Sequence, residues 1–213
     1  MNKRLILVGC GAFARELINF AEDAFDAGVG QKITGFLDDN PYALEKFSYP
    51  YEPYWVSTID DYVPQEGDEL IMAISDPFAK SQIASKLKQK GAKFVNFIHS
   101  SAIVARSAVL GEGVVVCPRS TISADARVGD FVTLNGCSGI AHDVVVGSYT
   151  TINSFVDLTG YVEVGESVFF GTGVKVIPKT KIGSGSKIGA GSIVVRSVPE
   201  NSIIYASPAK RLK

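Results

Sequence analysis

The sequence is poor in the residues on which several kinds of chemistry depend. It holds two histidines, His99 and His142, and three cysteines, Cys10, Cys117 and Cys137, in 213 residues. The cysteines have no metal-type spacing, and thiols stay reduced in the cytosol, so all three read as small buried residues. Charge of one sign is also lacking. Lys and Arg total 21 against 22 Asp and Glu, which leaves no basic field to recruit nucleic acid. No apolar run approaches the ~20 residues of a membrane span. The four aliphatics from Leu5 to Val8 are too few for a secretory h-region. These absences predict a cytoplasmic protein that meets neither nucleic acid nor membrane.

What is abundant is periodicity. From Val104 to Val194 an apolar residue returns at every sixth position, through Val116, Leu134, Ile152 and Ile188, and Phe170 is the one member of the column that is not aliphatic. Four residues after each comes a small or β-branched residue, such as Val114, Ser120, Ala126 or Val132, ending at Val198. The next residue after the aliphatic is often glycine, as at Gly111, Gly129, Gly147, Gly165 and Gly183, which suits a corner where a side chain collides or φ is unusual. Neither an α-helix nor a plain strand has a period of six. A hexapeptide register of this length predicts a parallel β-helix. With three hexads to a coil, residues eighteen apart stack, and the repeat makes a little over five coils.

The first half reads differently. Arg4 to Val8 is a buried strand, Gly9-Cys10-Gly11-Ala12-Phe13-Ala14 turns into a helix over about 12–27, and Ile33 to Leu37 is a second strand ending at Asp38 and Asp39. A loop over Asn40 to Pro53 leads to a short segment from Val56. Glu69 to Ile74 is a third strand, ending in Ser75-Asp76-Pro77, followed by a helix from Pro77 to about Lys90 and a fourth strand from Lys93 to Ile98. This alternation predicts a small Rossmann-like parallel sheet over residues 1–98, followed by an all-β β-helix domain over 99–213 in which Pro199-Glu200-Asn201 closes the solenoid and Ser202 onward is a tail. Gly9, Gly11 and Ala14 fit the dinucleotide pattern G-x-G-x-x-A, but four strands leave room for one nucleotide rather than two. Helix N-terminus and acidic strand end are suited to a phosphate and a ribose, the alternative being glycines that only allow close helix-to-strand packing and acids at a solvated strand end.

His142 is either a surface histidine on a β-face, the reading that composition alone favours, or a candidate base. It follows the interior Ile140 by two, and its stacked neighbours eighteen residues away, Ala124 and Gly160, leave room around the ring. Asp143 follows directly and can hold one tautomer so that the other ring nitrogen accepts a proton. Adjacent strand residues point to opposite faces, so a direct contact requires a bend at a coil corner or a neighbouring subunit. Two histidines in one chain cannot assemble a zinc site of three histidines, and no metal is expected.

Taken in order, Gly9 to Glu16, Gly35-Phe36-Leu37-Asp38-Asp39, Ala73-Ile74-Ser75-Asp76, His99-Ser100-Ser101-Ala102, Asn135 with Ile140-Ala141-His142-Asp143, Gly189-Ala190-Gly191-Ser192 and Ser207-Pro208-Ala209-Lys210 carry a resemblance over essentially the whole chain. The sequence resembles the hexapeptide-repeat acyltransferases of the sialic-acid O-acetyltransferase-like family, in particular its nucleotide-sugar N-acetyltransferases. That resemblance implies an α/β N-terminal domain and a left-handed parallel β-helix, a homotrimer, and acetyl-CoA lying between neighbouring solenoids. It implies His142 as general base, Asp143 as its partner and Asn135 as a polar group near it. Gly11, Phe13, Asp38, Asp39 and Ser75 match positions that contact the nucleotide sugar, and Thr151, Thr172 and Ala190 match positions along the CoA groove. The chain departs from many relatives at Phe13 and Thr151, where histidine is frequent, at Ser75, which replaces glycine, and at Ala141, where some carry an acid. The implied activity is acetyl-CoA-dependent N-acetylation of a nucleotide-linked amino sugar, of the 4-amino-dideoxy type, for a bacterial surface glycan. O-acetylation of a sugar, or a trimeric nucleotide-binding module without catalysis, are the alternatives.

Overall fold

The computed structural model describes residues 3–26, 32–47 and 53–206. The Ser207 to Lys210 motif therefore lies outside the described residues. In the first half β1 (Arg4–Val8), α1 (Ala12–Asp26), β2 (Ile33–Leu37), β3 (Tyr54–Ser57), β4 (Asp68–Met72) and α2 (Pro77–Gln89) follow one another. The four strands form one parallel sheet in the order β3-β2-β1-β4. Ile6, Leu7 and Val8 of the central β1 are fully buried because helices cover both faces. On one face α1 packs Ala14, Leu17, Ile18 and Ala21 with Leu7 and Phe36. On the other, Ala84 and Leu87 of α2 join Ile6, Val8 and Leu70. Asp76 caps α2, accepting the Ala79 N–H at 2.8 Å, with Pro77 just inside the helix.

One expected strand is corrected. The stretch from Lys93 to Ile98 is not the fourth strand of the sheet: its backbone joins the sheet only through a bridge between Leu70 and Phe94, and the fourth place goes to β3 at the opposite edge. β5 (Phe97–Ile98) pairs instead with Val115–Val116 and starts the solenoid. Asn96 turns the chain there, accepting the Val114 N–H and donating to the Gly111 carbonyl, both at 2.9 Å. β5 thus ends at residue 98, where the domain boundary is expected.

The solenoid consists of two-residue strands in three parallel sheets of five, seven and six strands. Partners are eighteen residues apart, as in Leu134 with Ile152 and Ile140 with Leu158. The interior column is fully or nearly fully buried from Val116 onward, and Val104 and Leu110 at the entrance are partly so. Hydroxyls of the small-residue column satisfy corner carbonyls: Ser120 donates to the Asn135 carbonyl at 2.9 Å and Ser138 to that of Asn153 at 2.8 Å. The solenoid does not stop at Asn201, because Ile203–Ile204 pairs with Lys187–Ile188 as a further strand.

Two backbone features shape the corners. The glycines after the aliphatic column are there because a side chain would collide and not because φ is unusual: a Cβ on Gly147 would lie 2.5 Å from the backbone carbon of Gly165 in the next coil. The left-handed conformation occurs two residues further on. Every sixth residue from Gly113 to Gly191 has φ between +54° and +76°, bulky ones such as Phe131, Tyr149 and Tyr161 included. A non-glycine residue there costs about 1–2 kcal/mol, which the closure of each coil has to offset.

The N-terminal domain sits on the seven-stranded face. Val115, Thr133 and Thr151 occupy outward positions of that sheet yet are buried, whereas Arg127, Lys175 and Lys181 on the other faces are exposed. Phe131 meets Phe94 edge-on at 4.8 Å and stacks on Tyr149 at 5.6 Å, and at the other end of the contact Phe20 meets His99 edge-on at 5.8 Å. No helix among the described residues is long and apolar enough to cross a membrane.

Candidate active site

A cleft of about 400 Å³ opens at the carboxyl ends of β1, β2 and β4. Gly11, Phe13, Asp38, Asp39 and Ser75 all line it, so the five predicted substrate residues, drawn from three separate stretches, come together. Gly11 is exposed, with nothing within 4 Å of where a Cβ would stand. The Arg15 N–H donates to the Gly11 carbonyl at 3.2 Å, so the N–H groups before it have no acceptor within the helix. With no acid in the first turn of α1, that end is free to receive an anion.

The two aspartates differ. Asp38 is committed to the fold of the glycine turn: its Oδ2 accepts the Cys10 N–H at 2.7 Å, its Oδ1 accepts the Asn40 N–H at 2.9 Å, and its carbonyl accepts the Trp55 indole N–H at 2.9 Å. Asp39 is exposed beside it. Cys10 is no nucleophile, because burial, and then the charge of Asp38, push its thiol up to about 12.

His142 lies on a solenoid corner with its ring over Gly160. A Cβ on Gly160 would stand 2.7 Å from both Cε1 and Nε2 of the imidazole, so the ring can take this seat only over a glycine. Asp143 has φ +59°, and this left-handed turn brings its Oδ2 to 2.8 Å from His142 Nδ1. A bend at a coil corner, the condition for two sequence neighbours to meet, is thus supplied by the repeat itself. Tyr161 closes the third side, its ring perpendicular to the imidazole at 5.2 Å, and Lys179 lies 6.0 Å above the tyrosine. Held at Nδ1 by a carboxylate, the ring presents Nε2 as the acceptor of a proton. The side chain is 57% exposed, open to a substrate from solvent.

The remaining predicted residues divide. Asn135 occupies the preceding corner, where it is nearly buried and donates to Asn153 Oδ1 at 3.0 Å, with no hydrogen bond to His142. Thr172 and Ala190 are exposed and stacked on the same side as Asn135, since the backbone nitrogen of Ala190 lies 2.5 Å from the Cβ position of Gly171. Thr151 is different. It is fully buried between the domains, donating its hydroxyl to the Ser75 carbonyl at 2.7 Å and accepting from Lys80 Nζ at 2.8 Å. Lys80, Gly160 and Tyr161 are the contributors that sequence reasoning left unassigned. Gly160 was within reach as the residue stacked on His142, whereas nothing in the repeat pointed to Lys80. A second hollow of about 440 Å³ on the solenoid contains none of the predicted residues, and its central charges pair with each other, Lys181 with Glu163 at 2.8 Å.

Known proteins share this repeat and this architecture. The bacterial transferase hexapeptide (six repeats) family model matches residues 161–196. UDP-N-acetylbacillosamine N-acetyltransferase of Bacillus subtilis is 35% identical over 111 residues, 51% of this chain and 47% of that protein. The chain spans less than half the length of the curated relatives it matches. Among solved structures, the acetyltransferase domain of PglB from Neisseria gonorrhoeae, in complex with acetyl coenzyme A, is 28% identical with a TM-score of 0.84 over 100% of both chains. PerB from Caulobacter crescentus, in complex with CoA and GDP-perosamine, is 29% identical with a TM-score of 0.81 over 97% of this chain and 96% of that one. The chain carries the hexapeptide repeat of bacterial transferases and shares its whole architecture, α/β sheet and parallel β-solenoid together, with the acetyltransferase domain of PglB.

Proposed function

We propose that this protein is an acetyl-CoA-dependent N-acetyltransferase whose acceptor is an amino sugar carried on a nucleotide. The observation that carries the reading is the coexistence of a carboxylate-held histidine on the solenoid and a nucleotide-sized cleft at a helix N-terminus. The bound acetyl coenzyme A of PglB and the bound CoA and GDP-perosamine of PerB support both halves. The diphosphate lies against the first turn of α1, where unpaired N–H groups and the helix dipole favour negative charge. Asp39 is the free carboxylate for a ribose or base contact, and Asp38 keeps the turn in shape.

In the reaction the neutral amine attacks the thioester carbonyl and a C–N bond forms. His142 Nε2 takes the proton that the amine sheds, while Asp143 stabilises the imidazolium through Nδ1. The tetrahedral intermediate then collapses, the C–S bond breaks, and the proton passes from His142 to the departing thiolate. The products are the amide and CoA. Backbone N–H groups stabilise the oxyanion, each contributing about 3 kcal/mol in such sites. The cleft and the His142 corner share no lining residue, and the reading brings them together in a homotrimer, with acetyl-CoA between solenoids along Thr172 and Ala190. The 4-amino-dideoxy class of sugar and a role in surface glycan synthesis belong to the same proposal.

The test is thiol release from acetyl-CoA with a panel of amino-sugar nucleotides, alongside hydroxyl-only sugar nucleotides. Transfer to an amine that is abolished in His142→Ala, with CoA binding intact, is the expected result. Acetylation of hydroxyl acceptors alone would refute the N-acetyl reading, and undiminished transfer by His142→Ala would refute the assignment of the base.

A further inference from the structure

Lys80 is a lysine in an unusual place. It lies in α2, one turn after the capping Asp76, and has no exposed surface. Its Nζ donates to the Phe131 carbonyl at 3.1 Å, to Thr133 Oγ1 at 2.9 Å and to Thr151 Oγ1 at 2.8 Å. All three acceptors belong to the solenoid, so the amine is a buried polar link between α2 and two successive coils. No carboxylate touches it. Burial pushes the ammonium down to about 7, and Asp76, the charged group acting on it from its own helix, pushes it back up only in part. Burying an ammonium with no carboxylate beside it is costly, and the three solenoid acceptors are what offset that cost.

The direction of the hydrogen bonds shows what the link reaches. Thr151 Oγ1 accepts from Lys80, which commits the hydroxyl's own hydrogen to the Ser75 carbonyl at 2.7 Å. Ser75 lines the cleft, between the end of β4 and the cap of α2. The chain from Lys80 through Thr151 to Ser75 therefore ties one wall of the cleft to the domain that carries His142. It survives loss of the proton: a neutral amine keeps two N–H donors, and the Thr133 hydroxyl can donate to its lone pair.

We propose that Lys80 is a positioning residue for the nucleotide cleft, acting through the Thr151 hydroxyl on the Ser75 backbone. The inference rests on the nucleotide-sugar reading and removes Thr151 from the CoA groove. The experiment is calorimetry of the full chain with UDP, GDP and dTDP, and separately with CoA, for wild type, Lys80→Met and Thr151→Val. The tightest of the three nucleotides for wild type should bind about tenfold or more weakly to both variants, a loss of about 1.4 kcal/mol, with CoA affinity unchanged. Steady-state kinetics should show the same split, a raised KM for the sugar nucleotide at little-changed kcat. Thr151→Val leaves the lysine in place, so it carries the test if Lys80→Met does not fold. Nucleotide affinity equal to wild type in a folded variant overturns the inference alone. Loss of CoA affinity with nucleotide affinity intact overturns it and returns Thr151 to the CoA groove. Wild-type protein that binds none of the three nucleotides overturns the nucleotide-sugar reading, and the inference with it.

Discussion

Replacing Gly160 with alanine tests the active-site geometry without touching a chemical group. The added methyl would stand 2.7 Å from Cε1 and Nε2 of His142 and 3.4 Å from Nδ1. Carbon–carbon contacts are comfortable at about 3.5–4.0 Å, so the ring must withdraw by about 1 Å. The imidazole is more than half exposed and can swing outward, whereas the coil beneath it is packed, so the ring moves and the backbone stays. A misplacement of about 1 Å can cost up to about 100-fold in rate, and a general base contributes about 10²- to 10⁴-fold in all. The expected result is a fall in kcat of roughly 10- to 100-fold, smaller than that of His142→Ala, with both KM values and the melting temperature close to wild type. The assay is steady-state thiol release with the best acceptor of the panel, beside a thermal melt. A folded Gly160→Ala protein with wild-type kcat would show that the imidazole does not work from its seat over Gly160.

Three further outcomes are expected. Asp38→Ala strands the Cys10 N–H and should lower stability by about 1–3 kcal/mol in denaturant melts while weakening nucleotide binding, whereas Asp38→Asn keeps an acceptor oxygen and most of the stability. Leu134→Ala, in the fully buried column, should cost about 2–5 kcal/mol by the same measurement. Burial holds His99 below its ordinary value of 6.5, so the unfolded chain binds a proton that the folded chain refuses, and stability should fall as pH drops below about 6.5. Thermal melts between pH 7 and 5 check this, and His99→Gln should flatten that dependence; an unchanged slope in the variant would count against the assignment. The carboxylates held low by ion pairs, such as Glu69 beside Lys93 and Lys3, act at more acid pH, and Lys80, held at about 7, acts only at the top of the window, so the slope toward pH 5 is the one that His99→Gln should flatten.

The two halves were legible to different degrees. The solenoid could be read almost residue by residue because each interior position repeats one local environment, so a single requirement is written many times. The α/β half carried β1, β2 and both helices in its apolar pattern, but the edge strand β3 was not marked. Its Tyr54 and Trp55 are exposed, and an edge strand with one open side lacks the continuous apolar run of Ile6 to Val8. Lys93 to Ile98 carried the pattern of a strand, and only its partner was misjudged: β5 hydrogen-bonds to the first solenoid rung rather than to the sheet.

At the candidate site, the spacing alone determined that His142 stacks between Ala124 and Gly160, and the glycine turn with its acidic strand end determined where the cleft opens. The reason is that both are local: a fixed count of residues per coil, and a strand–turn–helix in one short stretch. Tertiary structure decided the rest. Asp143 meets His142 because coil closure imposes φ +59° at that position whatever residue occupies it, as it does at Phe131 and Tyr161. Asp38 became a brace of the turn, and Thr151 left the solvent, through partners distant in sequence. Lys80 acquired its role from contacts with residues 51, 53 and 71 positions further along the chain. No local pattern encodes such contacts, because they exist only once the α/β domain has docked on the solenoid face.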